Sequence, residues 1–394
     1  MNILFLLKSL ETGGLEVVTS VLANEFIAKG HTVCVFSFLG GKNSIAKRFD
    51  KQVKLYERND YTVSKENVSV LRNVLIDNQI DVIVNQWGLP LIPIKTAKKA
   101  SEGLDIKIIS VYHNAPSFNG RIQKMNIALT ACENPLKRLF LKGVRLAYKT
   151  ITSKAMKYIY TKSDLFMVLS PCYIDEFKKF TGIKDSSRLI VMTNPVTIEQ
   201  DNFQYNPINK EKEIIYVGRL DFVQKRVYRV IDTWNYLEER FPDWKLTIVG
   251  DGEDRMNLED HVNAMGLKRV SFEGFKNPLE YYKRASMLLL TSDFEGFPLV
   301  LAECMSFGVV PAVYASYAAV YDIIDDGMDG ILLESDTKKG YDAERMADRM
   351  AQVMNSPNNL QTLAIKAIAK SENFSIDKIA GEWIEIFKDL KDNK

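Results

Sequence analysis

Residues 286–305 read SMLLLTSDFEGFPLVLAECM. The first six, SMLLLT, form a short apolar run of the kind that makes a buried strand. The last seven, LVLAECM, read as the start of a helix. Between them lies a polar turn with Asp293, Glu295, Gly296 and Pro298. Pro298 suits the first helical turn, where its missing N–H has no partner to lose. A strand handing over to a helix through such a turn is the joint of a parallel α/β sheet. Glu295 falls in the turn and Glu303 in the helix, with seven residues between them. Carboxylates near an apolar stretch are costly unless something pairs with them. Glu303 is expected nearly two turns into the helix, so the two acids are not stacked and can touch different parts of one elongated ligand. The plain alternative is a helix-start carboxylate plus a surface glutamate, and the apolar neighbours of Glu303 argue against it.

The same joint recurs along the chain. NILFLL precedes a helical stretch from about Leu15 to Lys29, with Gly30 and His31 at its end. TVCVFSF, IDVIVNQ, IKIISVYH, LFMVLS and RLIVMTN follow as further apolar runs. The pattern then restarts with EIIYVGRL, WKLTIVGDGE, VSFEGF, SMLLLTS and VVPAVY. Runs rich in Ile and Val and apolar on both faces are buried parallel strands joined by crossover helices. The expected fold class is α/β, with two Rossmann-like, doubly wound domains facing each other across a cleft. The expected boundaries are 1–197 and 198–374, with the junction near the polar stretch NPVTIEQDNFQ. A final helix over about 375–394, apolar at Ile379, Trp383, Ile386, Phe387 and Leu390, packs back on the first domain.

A length of 394 residues fits two or three domains. Apolar content of 46% and charged content of 26% are those of a globular protein. No run reaches the roughly 20 apolar residues that span a bilayer. The opening MNILFLLKSL lacks a basic leader and a small-residue cleavage site, so it reads as a first strand. Cys34, Cys132, Cys172 and Cys304 form no metal pattern, and the three histidines form none either, which points to free thiols in a reducing compartment and no structural metal. Net charge is +2, but residues 1–200 hold 28 basic against 17 acidic side chains, while 201–394 hold 24 against 33. The first half is therefore expected to face an anionic partner.

Ligands of such sheets bind at the carboxyl ends of the strands. Three joints carry suitable residues. Gly13-Gly14 lies between the first strand and its helix, where a bare backbone and helix amides suit a phosphate. A plain turn explains two glycines as well, and GxGxxG is absent. In YVGRLDFVQKR, Arg219 follows a strand and Lys225 or Arg226 opens the next helix, a cationic pair suited to a diphosphate. In the opening stretch, the amides of Gly296, Phe297 and Leu299 point at the ligand.

The segment EGFPLVLAE resembles the E-x7-E motif of retaining glycosyltransferases of the GT-B fold, in the large family 4. GGLEVVTSVLANEFIAKGHTVCVF, VGRL with the nearby lysine, IVGDGE, VSFEGF, DGMDGILLE and NFSIDKIAGEWIEIF follow in the family's order, so the resemblance covers nearly the whole chain. It implies that Arg219 and Lys225 hold the donor diphosphate and that Glu303 binds the nucleotide ribose. Glu295 is implied to contact the donor sugar beside Gly296, Phe297, Pro298 and Leu299. Gly14, with Gly13, corresponds to the loop glycine near the phosphates, and His113 in SVYHN to the active-site histidine. His31 and His261 are read as structural. The chain departs from the family in placing Lys225 six residues after Arg219, where five is usual, and in carrying Arg226 where glycine is common. Lys225 is preferred as the cation, with Arg226 as a substitute.

The implied reaction moves a sugar from a nucleotide sugar, a UDP-sugar by preference, to an acceptor hydroxyl with retention of configuration. The first domain takes the acceptor side and the second binds the donor. No D-x-D motif is present, and Asp293-Phe-Glu295 is only superficially similar, so no metal or other cofactor is required. Residues 136–162 carry eight Lys/Arg and no acid, interleaved with Leu, Phe, Val and Tyr. This basic amphipathic segment suits an anionic membrane surface and a lipid-linked glycan acceptor. The expected location is the cytoplasm, with peripheral attachment to the inner face of the cell membrane. Nucleic acid is not an expected partner. The alternatives are another GT-B enzyme, such as a sugar-nucleotide epimerase, or a non-catalytic nucleotide-sugar-binding paralogue.

Overall fold

The computed structural model describes residues 1–40, 45–200, 203–335 and 340–392. The chain divides into two compact units, one of 1–195 with 376–394 and one of 196–375. Residues 393–394 of the expected last helix, and 201–202 of the expected junction, lie outside the described residues.

In the first unit the strands are β1 (Asn2–Ser9), β2 (Thr32–Leu39), β3 (Lys54–Glu57), β4 (Val82–Asn85), β5 (Lys107–Tyr112), β6 (Leu165–Val168) and β7 (Leu189–Val191). Among the described residues they make one sheet in the order β3-β2-β1-β4-β5-β6-β7, with every pairing parallel. Ile3 to Leu7 of β1 are fully buried, which explains the unbroken apolar run: helices cover both faces. The helix Gly14–Ala28 returns the chain, burying Val18, Leu22 and Phe26 at intervals of four residues. The closing helix Ile376–Asp392 lies on it, where Phe387 meets Phe26 with ring centroids 5.6 Å apart and Trp383 at 5.4 Å.

The second unit repeats the plan with β8 (Glu211–Val217), β9 (Lys245–Val249), β10 (Val270–Gly274), β11 (Ala285–Leu290), β12 (Val310–Ala315) and β13 (Ile331–Glu334). Its order is β10-β9-β8-β11-β12-β13, again parallel. In each sheet the strand order reverses once, between β1 and β4 and between β8 and β11. That reversal leaves the loops of two adjacent strands diverging, and it is the place where a ligand can approach backbone at the carboxyl edge. The segments singled out in the sequence follow these strands: Gly13-Gly14 after β1, Arg219 after β8, and the two-glutamate loop after β11.

The two short strands β3 and β13 carry no long apolar run and were not marked by the sequence. Gly250, directly after β9, has φ 147°, and a Cβ there would stand 1.8 Å from the Gly218 carbonyl oxygen. Only glycine lets the β9 loop pass that close to the backbone carrying Arg219.

Candidate active site

The second unit's switch point brings most of the predicted residues together. Lys225 Nζ lies 2.6 Å from Glu295 Oε1, and the two side chains are 17% and 9% exposed. Gln224 links them to Arg219: its Oε1 accepts from an Arg219 guanidinium nitrogen at 3.1 Å, while its Nε2 donates to the Phe294 carbonyl at 3.2 Å and approaches Glu295 Oε2 at 3.4 Å. Arg219 also donates from Nε to Asp221 Oδ2 at 2.8 Å and stays 62% exposed. The result is a row of two cations and one carboxylate at the ends of β8 and β11.

Local sequence shapes this row. Asp221 Oδ1 accepts from the backbone N–H of Val223, Gln224 and Lys225 at 3.0, 2.6 and 3.0 Å. Those bonds fold DFVQK into a turn and aim Lys225 across to β11. Burial pushes the Asp221 carboxyl up, but the Gln224 and Lys225 amides and the Arg219 guanidinium outweigh it and hold the carboxyl below its usual range. The next helix opens at Tyr228, so Lys225 and Arg226 lie in the turn before it rather than in its first turn.

Arg226 does not join the row of Arg219, Gln224, Glu295 and Lys225. Its Nε donates to Asp293 Oδ2 at 2.7 Å, and Arg229 takes Asp293 Oδ1 at 2.6 Å, so it is committed to a separate ion pair. Its φ of 52° lies in the left-handed region, which is the physical reason a glycine suits this position. The ion pair with Asp293 offsets the strain of placing an arginine there.

The helix after the loop spans Leu299–Ser306 with Pro298 as its N-cap, one residue ahead of the expected first turn. Glu303 is its fifth residue, a little over one turn in rather than nearly two. It is 6% exposed; Thr197 donates to its Oε1, and the Tyr282 hydroxyl to its Oε2 at 3.1 Å. A carboxylate oxygen has two lone pairs, so Glu303 keeps acceptor capacity for a ligand hydroxyl. Phe297 turns its ring inward against Phe374, with centroids 5.4 Å apart, which anchors the loop at Gly296 and Phe297. Glu303→Ala leaves the Thr197 and Tyr282 hydroxyls without their acceptor. The expected result is weaker binding of a nucleoside diphosphate by about tenfold and a stability loss of about 1–3 kcal/mol. Calorimetry with UDP and urea unfolding read the two separately. Unchanged UDP affinity in a folded Glu303→Ala protein would remove the ribose role.

Gly13, Gly14 and His113 belong to the first unit. Gly13 is the N-cap of the first helix, and a Cβ there would meet the Glu16 carboxylate at 2.5 Å. Glu16 is itself buried, and burial raises its carboxyl above the usual range. His113 follows β5, and its Nε2 lies 2.7 Å from Gln86 Oε1. Burial lowers the ring to about 4, so it is neutral at pH 7. The unfolded ring binds a proton below about 6.5, while the folded ring does so only near 4. The His113 contribution to stability is therefore complete above pH 6.5 and is lost as pH falls toward 4. Thermal melts between pH 7 and pH 4 should show a drop that is smaller in His113→Gln; equal drops would contradict the assignment.

Asp221, Gln224, Asp293, Thr197, Tyr282 and Gln86 were not picked from the sequence. Only Asp221 left a signal, as an Asp opening a turn; the others are brought in by folding.

The comparisons place the chain in a class. Residues 12–200 match the family model Glycosyltransferase Family 4, and 197–370 match Glycosyl transferases group 1. An uncharacterized glycosyltransferase of Haemophilus influenzae is 26% identical over 390 residues, covering 96% of this chain and 97% of that protein. A Campylobacter jejuni protein is 24% identical over 397 residues, 99% of each chain; it is named GalNAc-alpha-(1->4)-GalNAc-alpha-(1->3)-diNAcBac-PP-undecaprenol alpha-1,4-N-acetyl-D-galactosaminyltransferase. The crystal structure of Anabaena HepE with UDP and glucose superposes with a TM-score of 0.73 at 16% identity, covering 99% of this chain and 100% of that one. The fold is GT-B, and the chain belongs to the GT-B glycosyltransferases whose two halves these family models describe.

Proposed function

We propose that this enzyme is a retaining, metal-independent glycosyltransferase that moves a sugar from a UDP-sugar to a hydroxyl of a lipid-linked glycan in surface polysaccharide synthesis. The observation that carries the reading is the Arg219–Gln224–Glu295–Lys225 row at the second unit's switch point. A departing nucleoside diphosphate develops negative charge, and fixed cations stabilise that charge where it appears. Arg219 and Lys225 supply them without a metal, assisted by amides at the start of the helix Leu299–Ser306. Glu295 beside Lys225 is the group that reads the sugar, and Glu303 the group that holds the ribose. The second unit takes the donor and the first the acceptor. No side chain stands out as a general base, which fits a route in which the leaving phosphate accepts the acceptor's proton on the same face. UDP is supported by the HepE complex, and a lipid-linked glycan by the printed activity of the Campylobacter relative.

The acceptor reading also draws on the helix Pro135–Lys162. It leaves Leu136, Leu139, Phe140, Leu146 and Ile151 exposed, at 79, 68, 70, 66 and 59%, among Lys137, Arg138, Lys142 and Arg145. Apolar side chains that enter the acyl boundary, flanked by cations that meet acidic headgroups, are the parts of a peripheral membrane anchor. No helix among the described residues is long and apolar enough to cross a membrane. Flotation with anionic vesicles should carry the protein upward, and changing Lys137, Arg138, Lys142 and Arg145 to Ala should cut the bound fraction several-fold; equal flotation would sink the membrane reading. Turnover of a panel of UDP- and GDP-sugars without added metal, with NMR of the product anomer, tests the reaction. A product of inverted configuration, or activity only with a divalent cation, would overturn it.

A further inference from the structure

A second polar cluster lies in the first unit, at its own switch point. Lys8 is the next-to-last residue of β1, and Trp87 comes two residues after β4, the strand paired with β1 at the order reversal. The Lys8 ammonium lies 5.7 Å from the Trp87 ring centroid and 5.8 Å from that of Tyr61. Tyr61 is held edge-on by Phe38, with centroids 5.8 Å apart. Among the described residues, the Tyr61 hydroxyl, the Trp87 indole N–H and the Gln86 amide nitrogen are buried with no hydrogen-bond partner. Gln86 is 1% exposed, and its other amide atom meets His113.

Unpaired buried donors are rare, because each costs about 1–3 kcal/mol. Here two of them belong to the rings around one lysine, and the third is on Gln86, next to Trp87 in the chain. That lysine makes no ion pair among the described residues. Burial raises the carboxyl of its neighbour Glu16, and the charge of Lys8 works in the opposite direction. Donors waiting for acceptors, two aromatic rings and a lysine with no ion pair among the described residues call for one kind of ligand: a ring rich in oxygen that also carries an anion. We propose that Lys8, Tyr61 and Trp87 form a subsite for an acidic sugar bearing a carboxylate or a phosphate. The flexible lysine stem lets the ammonium leave the rings and meet the anion. The indole N–H, the tyrosine hydroxyl and the Gln86 amide then bond the sugar oxygens, and the rings pack on its carbon face. Naming this sugar as part of the acceptor rests on the glycosyl-transfer reading above; the binding itself does not.

The decisive variant is Trp87→Phe, which keeps an aromatic ring and removes the N–H together with the bulk of the second ring. That N–H bonds nothing among the described residues, but the smaller ring leaves space where the indole sat, so a modest fall in Tm is expected and is read beside binding. Saturation-transfer NMR on the full chain, with D-glucuronate, D-glucose 6-phosphate and neutral D-glucose as probes, measures binding. Both acidic sugars, or the one whose anion fits, should bind more tightly than glucose. Trp87→Phe should weaken that binding about fivefold, and Lys8→Met about tenfold or more, with glucose unaffected by the lysine change. The glucuronate and phosphate arms tell which anion is preferred. The proposal fails if neither acidic sugar binds, or if both variants bind as the parent does. It fails equally if folded Trp87→Phe binds the acidic sugar as the parent does. UDP is titrated in parallel: loss of UDP affinity in Lys8→Met would assign the cation to the nucleotide and overturn the subsite. Acidic-sugar binding without any UDP binding would instead fault the donor reading alone.

Discussion

Glu295→Gln is expected to lower sugar transfer by about a thousandfold or more while UDP binding stays within a few-fold of the parent. The structure makes the second half of that statement physical. Glu295 Oε1 and Lys225 Nζ neutralise one another at 2.6 Å, in a place where both side chains are largely removed from water. A glutamine keeps the shape and one acceptor oxygen but gives up the charge. Lys225 is then released to a diphosphate, so nucleotide affinity holds or improves. What is lost is the anion beside the sugar as positive charge develops on it, an interaction stronger in the transition state than in the ground state. Single-turnover rates with a UDP-sugar, set beside UDP calorimetry, separate the two. If transfer persists, or if UDP binding collapses with it, Glu295 does not have this role.

Lys225→Met is expected to reduce kcat by about 10²–10³, roughly 3–4 kcal/mol of leaving-group stabilisation, and to weaken UDP as well. Methionine fills similar space without charge, so it also strands the Glu295 carboxylate beside an apolar chain, and some loss of stability should accompany the rate effect. Arg226 is paired with Asp293, which Arg229 also binds. Arg226→Met should therefore affect stability more than rate. The comparison of kcat for the two variants decides the assignment: a retained rate in Lys225→Met with a lost rate in Arg226→Met would hand the diphosphate role to Arg226.

The strands were legible because parallel strands buried on both faces must be apolar throughout, and runs such as NILFLL and SMLLLT have no other economical use. The two edge strands β3 and β13 escaped because four residues are too few to show a pattern: β3 buries none of its residues fully, and β13 buries a run of only three. The sequence puts Glu303 deeper in its helix than the structure does, because the start of a helix depends on backbone dihedrals and Pro298 serves as the cap instead of the first helical residue. Lys225 against Arg226 was a choice between two adjacent cations of similar reach. The left-handed backbone at Arg226 settles which way each points, and no local pattern announces a positive φ at an arginine.

The sequence by itself determined the α/β class, the restart of the pattern halfway along the chain, and the membership of Arg219, Lys225 and Glu295 in strand-end loops. Those features follow from composition and spacing over a few residues, which is the range on which burial and turn chemistry act. The tertiary structure decided who meets whom. It put the loop after β8 against the loop after β11, paired Lys225 with Glu295 across 70 residues of chain, and set Thr197 and Tyr282 on Glu303. It also gathered Lys8, Tyr61 and Trp87 from three separate segments. Such contacts are fixed by the strand order of each sheet, and that order is a global property: it is chosen by how all the crossovers pack at once, and no single stretch of residues encodes it.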